Sequence, residues 1–452
     1  MVQGRHEEGQ QVPKDLQRLL AIAWIGIVLL VGACILLAVR WGMNGQNGRA
    51  LSAVGTPMET LPLGAGATLF LLPTPTAMET PLSRPAEGYA TPSVEPTVVP
   101  LADRSFGYGI EAQALVNPQA TLDHVRQLGL GWVKVSLRWS EIEAEAGRPD
   151  WGALDAFFAE AATRNLRVLV SVSAAPAWAR SVTAEGLEGP PDDPRTFAHF
   201  VAQLVQRYRG ALHAVEIWEE MNQEQHWYAP GGLSAASYME LLLSAVQAVR
   251  TVDPGIIVIS GGLNPTGVDD GVMAIDDFRY LQELIALGLL DYVDCVGVHL
   301  KGYNLPPDVP YDAASSSAAA HFQAPFENPH HSWSFYSTLR GYNDMIVAVR
   351  RHTPLCVTAF GWASAGGIRS EVKAGMEFAL DNSPEEQARY ITQAFQLMRD
   401  WRFVWLAFLF NLDFAFKADG DLGDAAALYS ILAPDGSPRP AYRAVQEMPK
   451  LP

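Results

Sequence analysis

The sequence predicts an α/β protein, a (β/α)8 TIM barrel preceded by one transmembrane helix and a Pro/Thr-rich linker. Three observations carry this expectation. Eight short β-branched or aromatic runs alternate with helical stretches from Ser105 onward. An uncharged apolar run of bilayer length lies near the N-terminus, and a Pro-, Thr-, Gly- and Ala-rich tract separates it from the alternating region. At 452 residues the chain can bury a large core, and α/β barrels routinely exceed the usual domain size as one unit.

Residues 1–18 read as a cytoplasmic tail carrying Arg5, Lys14 and Arg18. Residues 19–39, LLAIAWIGIVLLVGACILLAV, have no charge, and a helix of this length at ~1.5 Å per residue crosses a ~30 Å hydrocarbon core. A lipid bilayer is therefore an expected partner, with the rest of the chain on the extracytoplasmic side as a single-pass protein of the cell membrane. Residues 40–104, with Pro73, Pro75, Pro92, Pro96 and Pro100, cannot bury enough apolar surface to offset chain ordering and read as a disordered stalk.

The barrel is expected over 105–448, with strands at 105–110, 132–138, 167–173, 213–219, 256–261, 293–299, 355–360 and 404–410. Ser383-Pro384-Glu385-Glu386 forms a capping box with Pro at the first helical position, and Ile391, Ala394, Phe395 and Met398 supply the apolar face behind it. A doubly wound open sheet is the structural alternative.

The 49 acidic against 32 basic side chains give a net charge of −17, which offers no footprint for a phosphate backbone and excludes nucleic acid as a partner. Cys34 lies in the apolar run, and Cys295 and Cys356 read as small buried hydrophobes rather than a disulfide framework, leaving the redox compartment open. No His-Glu-x-x-His or Cys-x-x-Cys is present, and adjacent His330 and His331 do not have ligand spacing, so no metal is expected. Gly107-Tyr108-Gly109 lacks the third glycine of a dinucleotide fingerprint and reads as a tight turn at a strand end; no G-x-S-x-G elbow occurs. No cofactor is expected. Oligomeric state is not readable.

In a barrel of this type the working residues sit at the C-terminal ends of the strands, which directs attention to Glu219, Glu220 and Asn222 at the end of the fourth. Trp132, Trp139, Trp178, Trp218 and Trp362 are candidates for stacking on a ligand, with the last three favoured by their place at strand ends. His299 and Tyr303 are candidate ligand contacts; Asn304 lies on the same loop, and Lys301 reads as a solvated loop charge.

Ile217-Trp218-Glu219-Glu220-Met221-Asn222 resembles the strand-four motif of clan A glycoside hydrolases, I-W-N-E-P-N, whose glutamate is the general acid/base. By that resemblance Glu220 is the acid/base. Pro176-Ala177-Trp178, Val296-Gly297-Val298-His299, Gly361-Trp362, Glu386-Gln387-Ala388 and the segment from Asp435 to Tyr442 are similar, in order, to β-xylosidase- and cellulase-like members. Arg138 matches the arginine that supports the second carboxylate in that group.

The departures converge on one pocket. Where the group has V-T-E-F-G-W, this chain has Val357-Thr358-Ala359-Phe360-Gly361-Trp362, so alanine stands at the nucleophile position. A retaining glycosidase needs two carboxyl groups about 5–5.5 Å apart, and a methyl group cannot form the glycosyl-enzyme. Glu219 replaces the asparagine that contacts the sugar 2-hydroxyl, and Phe408 or Leu409 replaces the strand-eight tryptophan platform. An inverting route needs a base about 6.5–9.5 Å away, for which Asp413, Glu111 or Glu219 are candidates. Adjacent Glu219 and Glu220 would raise one another's pKa if both face the cavity, which suits a general acid. The resemblance implies a glycoside hydrolase-like protein acting on β-linked sugars or oligosaccharides, which the apolar run at 19–39 would anchor in the membrane; the alternative is a carbohydrate-binding pseudoenzyme.

Overall fold

The computed structural model describes residues 105–315, 318–369, 371–417 and 424–451. The expected tail, transmembrane helix and linker lie outside them; among the described residues no helix is long and apolar enough to cross a membrane. Eight strands follow in order: β1 (Gly107–Glu111), β2 (Trp132–Arg138), β3 (Arg167–Ser173), β4 (Ala214–Glu219), β5 (Ile257–Gly262), β6 (Val296–Gly302), β7 (Leu355–Trp362) and β8 (Val404–Leu409). A helix follows each: α1 (Pro118–Gln127), α2 (Gly152–Thr163), α3 (Pro194–Arg207), α4 (Ala235–Val252), α5 (Asp277–Ala286), α6 (Phe335–Ala348), α7 (Pro384–Trp401) and α8 (Pro440–Glu447).

The strands pair in parallel in the order β5-β4-β3-β2-β1-β8-β7-β6. The two ends meet through the bridges Ile259 to Cys295 and Leu263 to Val298, so the sheet is a nearly closed barrel and not a doubly wound open sheet. The expected capping box forms: the Ser383 hydroxyl accepts from the Glu386 N–H at 3.1 Å and the Glu386 carboxylate accepts from the Ser383 N–H at 3.1 Å. Orphan donors at the start of α7 are thereby satisfied.

Alternation along the strands sorts side chains into an outer and an inner set. Val133, Val135, Val168, Val170, Val215, Ile217 and Val357 pack outward beneath the helices in the main core. Inward, Trp132, Leu169, Ala214, Ile259, Leu406 and Phe408 join Cys295 and Cys356 in a separate apolar plug near the N-terminal ends of the strands. Two residues further along β2, β3 and β4 the inner set becomes polar, with Lys134, Ser171 and Glu216, all fully buried.

Three expectations need correction. Gly107 and Gly109 lie within β1 and not in a turn, and a Cβ on Gly109 would collide with the Phe408 ring that fills the plug. Cys295 and Cys356 are not free buried thiols but a disulfide, Cα to Cα 5.7 Å, joining β7 to the residue before β6. Nothing in a separation of 61 residues brings two cysteines together; the β6–β7 register, Gly297 beside Cys356, does. The sixth strand also starts later than its apolar run implied, at Val296, and extends to Gly302, which takes Lys301 out of the loop and into the barrel.

Candidate functional site

The end of β4 does not follow regular strand geometry. Trp218 and Glu220 both adopt positive φ, 69° and 50°, a region that costs side-chain-bearing residues about 1–3 kcal/mol and is held only where packing enforces it. Here Trp218 is clamped by its indole N–H to the His226 carbonyl at 3.0 Å, and the Glu220 N–H reaches the Gly262 carbonyl at 2.8 Å. Successive strand residues normally face opposite sides. With this backbone Glu219 and Glu220 instead approach one imidazole, that of His299 on β6: Glu220 Oε1 lies 2.8 Å from Nδ1 and Glu219 Oε2 lies 4.0 Å from Nε2. Gly262 makes room, since a Cβ there would run into the His299 ring.

Glu220 is held at both oxygens. Oε1 takes His299 Nδ1 at 2.8 Å and Lys301 Nζ at 3.3 Å; Oε2 accepts from Gln223 Nε2 at 2.9 Å and Asn264 Nδ2 at 3.2 Å, with His226 Nε2 at 3.5 Å. Burial works to raise its pKa, but the Lys301 ammonium and the His299 and His226 imidazoles outweigh it and hold the carboxyl well below the usual carboxylate range. The expected upward shift from Glu219 is therefore reversed, because three cationic or donor side chains crowd the carboxylate.

Deeper in the barrel, Lys134 Nζ reaches Glu111 at 3.2 Å, Glu216 at 3.6 Å and Glu219 at 3.9 Å. Glu216 also accepts from Thr358 Oγ1 at 2.7 Å, from the Gly262 N–H at 3.0 Å and from Ser171 Oγ. Its pKa falls to about 2 despite burial, through Lys134, His299 and Ser171. For His299, burial and the Lys134 charge lower the pKa, yet the Glu216 and Glu220 carboxylates prevail and raise it to about 9, so the imidazolium is the neutral-pH form. Glu216, Glu219 and His299 converge closely enough to hold a metal ion, but the Lys134 ammonium already supplies positive charge among them.

The other expected site residues divide. Ala359 pairs with His299 in the β6–β7 register and is buried. Tyr303 stacks on Phe322 at 5.5 Å, and burial with the Asp277 and Glu220 charges raises its hydroxyl pKa to about 12. Trp178 is 40% exposed, its indole N–H donates to the Glu143 carbonyl at 2.8 Å, and its ring meets Trp139 edge to face at 5.4 Å. Trp218 and Trp362 are fully buried and cannot meet a sugar: Trp362 donates to the Leu305 carbonyl at 2.9 Å and packs on Phe335. Trp139 is core and Trp132 belongs to the plug. Asn222 is buried and clamps the loop after β5 through the Asn264 and Ile275 carbonyls at 2.9 and 3.0 Å. Asn304 bonds Asp381 at 2.9 Å. The Arg138 guanidinium pairs with Glu141 at 3.2 Å and with Glu188. Glu188 in turn lies 3.6 Å from His226, which links this rim pair to Glu220.

The candidate bases are engaged elsewhere. Asp413 bonds the Gln113 N–H at 2.9 Å and pairs with Lys417 at 3.0 Å, and Glu111 is tied to Lys134 and to Ser136 at 3.2 Å. Glu219 remains, partly exposed and bonded to Ser173 Oγ at 3.2 Å. Phe408 and Leu409 are not at the mouth: the first fills the plug and the second packs outward, and Phe410, one residue past β8, lies under Lys301 with Nζ 4.9 Å from its ring centre. Lys134, Glu216, Lys301, His226 and Phe410 were missed as site residues. The period-two spacing of Lys134 and Ser136 in β2, and of Glu216 two residues past Ala214 in β4, was the available signal for the inward ones.

No family model matches the sequence, and no curated protein matches it. Solved structures do resemble the fold. A family 39 glycoside hydrolase from the gut symbiont Bacteroides cellulosilyticus WH2 superposes with a TM-score of 0.57 at 18% identity, over 78% of this chain and 65% of that one. A monomeric beta-xylosidase from Caulobacter crescentus CB15 gives 0.52 at 16% identity over 75% and 67%, and a GH39 enzyme from Xanthomonas axonopodis pv. citri gives 0.51 at 16% over 76% and 65%. The chain thus spans about two thirds of the length of these structures. Its structural neighbours are clan A glycoside hydrolases, and the likeness at these identities is one of fold.

Proposed function

We propose that this is a membrane-anchored protein of glycoside hydrolase type whose barrel mouth recognises a β-linked sugar or oligosaccharide, and that double displacement is closed to it. The observation that carries the reading is the state of Glu220: a buried carboxylate gripped by Lys301 and His299, its pKa held low, with Ala359 where a nucleophile would stand. A general acid must hold a proton at working pH. Glu220 instead offers a fixed anion for sugar hydroxyls, with Glu219, Tyr303 and Trp178 as further contacts. Recognition without hydrolysis is the function this geometry supports best.

An extracytoplasmic barrel agrees with the Cys295–Cys356 disulfide, since such bonds persist in oxidising compartments. The apolar run at 19–39 supplies the anchor and 40–104 the stalk.

The test uses the full chain in detergent, with β-linked xylo- and gluco-oligosaccharides and activated aryl β-glycosides. Expected are a rise in melting temperature with at least one oligosaccharide, its loss in Glu220→Gln, and no turnover above background. Ala359→Glu is expected to become covalently labelled by a 2-fluoro aryl glycoside, seen as an added sugar mass. Wild-type turnover that disappears in Glu220→Gln overturns the binding reading in favour of hydrolysis with Glu220 as acid/base. Absence of both turnover and thermal protection overturns the proposal altogether.

A further inference from the structure

His330 and His331, whose adjacency in the sequence offers no common ligand face, are brought together with Asp276 by the fold. Asp276 is the N-cap of α5: its Oδ1 accepts from the N–H groups of Phe278 and Arg279 at 3.1 and 3.2 Å. That leaves Oδ2 buried and without a hydrogen-bond donor among the described residues. Two imidazole nitrogens face it, His330 Nε2 at 3.6 Å and His331 Nε2 at 3.8 Å. The rings lie on one side of the chain, centres 4.2 Å apart, and the three ligand atoms all fall within 4.8 Å of one another.

We infer that Asp276, His330 and His331 form a binding site for a divalent transition metal of the zinc type, pinning the loop after β5 to the loop after β6. The arithmetic of coordination favours it. Bonds of about 2.0–2.1 Å in a tetrahedron place ligand atoms about 3.3–3.4 Å apart, so the two separations from Asp276, 3.6 and 3.8 Å, need to close by only a few tenths of an ångström. Each ligand is oriented from behind, as ligands of bound metals generally are. Asp276 is fixed by its capping bonds, His330 Nδ1 lies 2.9 Å from Ser332 Oγ, and the His331 ring stacks on Phe278 with centres 3.5 Å apart. Gly267, at φ 70°, lets the loop after β5 lie against Ser332 and His330.

The competing arrangement has no metal: His331 Nε2 lies 3.0 Å from the buried carboxylate of Asp277, whose other oxygen accepts from Tyr342 at 2.8 Å. In that arrangement His331 serves Asp277 alone, and Asp276 Oδ2 stays unmatched. A dication would balance both aspartates at once, with two neutral imidazoles. Two protein nitrogens and one oxygen leave a fourth position for Asp277 Oδ1 or a water.

The experiment titrates Co2+ into the full chain stripped with chelator, in detergent, following the visible ligand-field bands, displacement by Zn2+ and melting temperature. One tightly bound Co2+ is expected, with a rise in melting temperature. His330→Ala and Asp276→Asn should each weaken binding by at least about tenfold. Asparagine preserves the N-cap acceptor, so Asp276→Asn in chelator should melt as the wild type does. Failure of the wild-type chain to bind Co2+ overturns the inference whatever the variants do. Unchanged affinity in both variants overturns it equally, by placing the ion elsewhere.

Discussion

Lys134 is the residue on which the barrel's interior balance rests. It is fully buried among Glu111, Glu216 and Glu219, so its removal strands the fully buried Glu216 carboxylate without its cation. Breaking a buried charge set from one side costs about 3–5 kcal/mol, so Lys134→Met is expected to lose that much in denaturant unfolding of the purified chain. A loss under about 1 kcal/mol would mean the cluster is hydrated. His299 and Glu216 set opposite pH limits. The His299 pKa is raised from 6.5 to about 9, so its stabilisation is complete below 6.5 and withdrawn as pH climbs through 9. The Glu216 pKa is depressed from 4.5 to about 2, so its stabilisation is complete above 4.5 and lost as pH falls through 2. From these two groups, melting temperature should be highest between pH 4.5 and 6.5 and decline toward 9. In His299→Gln the alkaline decline should flatten, and an unaltered slope would remove His299 as its source.

At the level of elements, the junction of β6 and β7 joins the plug to the mouth. The Cys295–Cys356 bond closes a loop of 61 residues, for which chain entropy gives a stabilisation of about 4 kcal/mol as an upper value. Cys295→Ala with Cys356→Ala is expected to lower stability by about 2–4 kcal/mol in urea unfolding, with the far-ultraviolet spectrum retained. Strand β4 carries the opposite character. Its C-terminal residues take strained backbone angles so that two consecutive glutamates share one face, and the β5 glycine Gly262 yields space for the imidazole between them.

For the whole molecule, disulfides persist mainly in oxidising compartments, so the proposed extracytoplasmic placement of the cross-linked barrel can be checked directly. Chains extracted from cells under acid-quenched, non-reducing conditions should show Cys295 and Cys356 inaccessible to thiol alkylation until reduced, as read by mass spectrometry. Alkylation of both without reductant would place the barrel on the reducing side. The proposed recognition without hydrolysis requires that the mouth can change while the barrel keeps its shape, and the layering allows it. The apolar plug and the outer core, where most of the burial lies, are separate from the polar upper layer where Ala359, Glu220 and Lys301 sit.

The sequence alone determined the barrel: all eight strands fall within three residues of where their apolar runs begin, because parallel strands buried on both faces leave unbroken β-branched tracts between amphipathic helices. It also located the strand-four end and the capping box of α7, both of which depend on neighbours in the chain. Only the tertiary structure decided that Cys295 meets Cys356, that Lys301 points at Glu220, that Trp218 and Trp362 are core, and that Asp276 faces two histidines. Those outcomes hang on register across the barrel and on charge gathered from strands far apart in the chain. A local pattern specifies which element a residue joins, whereas the field around a buried carboxylate is set by whatever closure brings beside it.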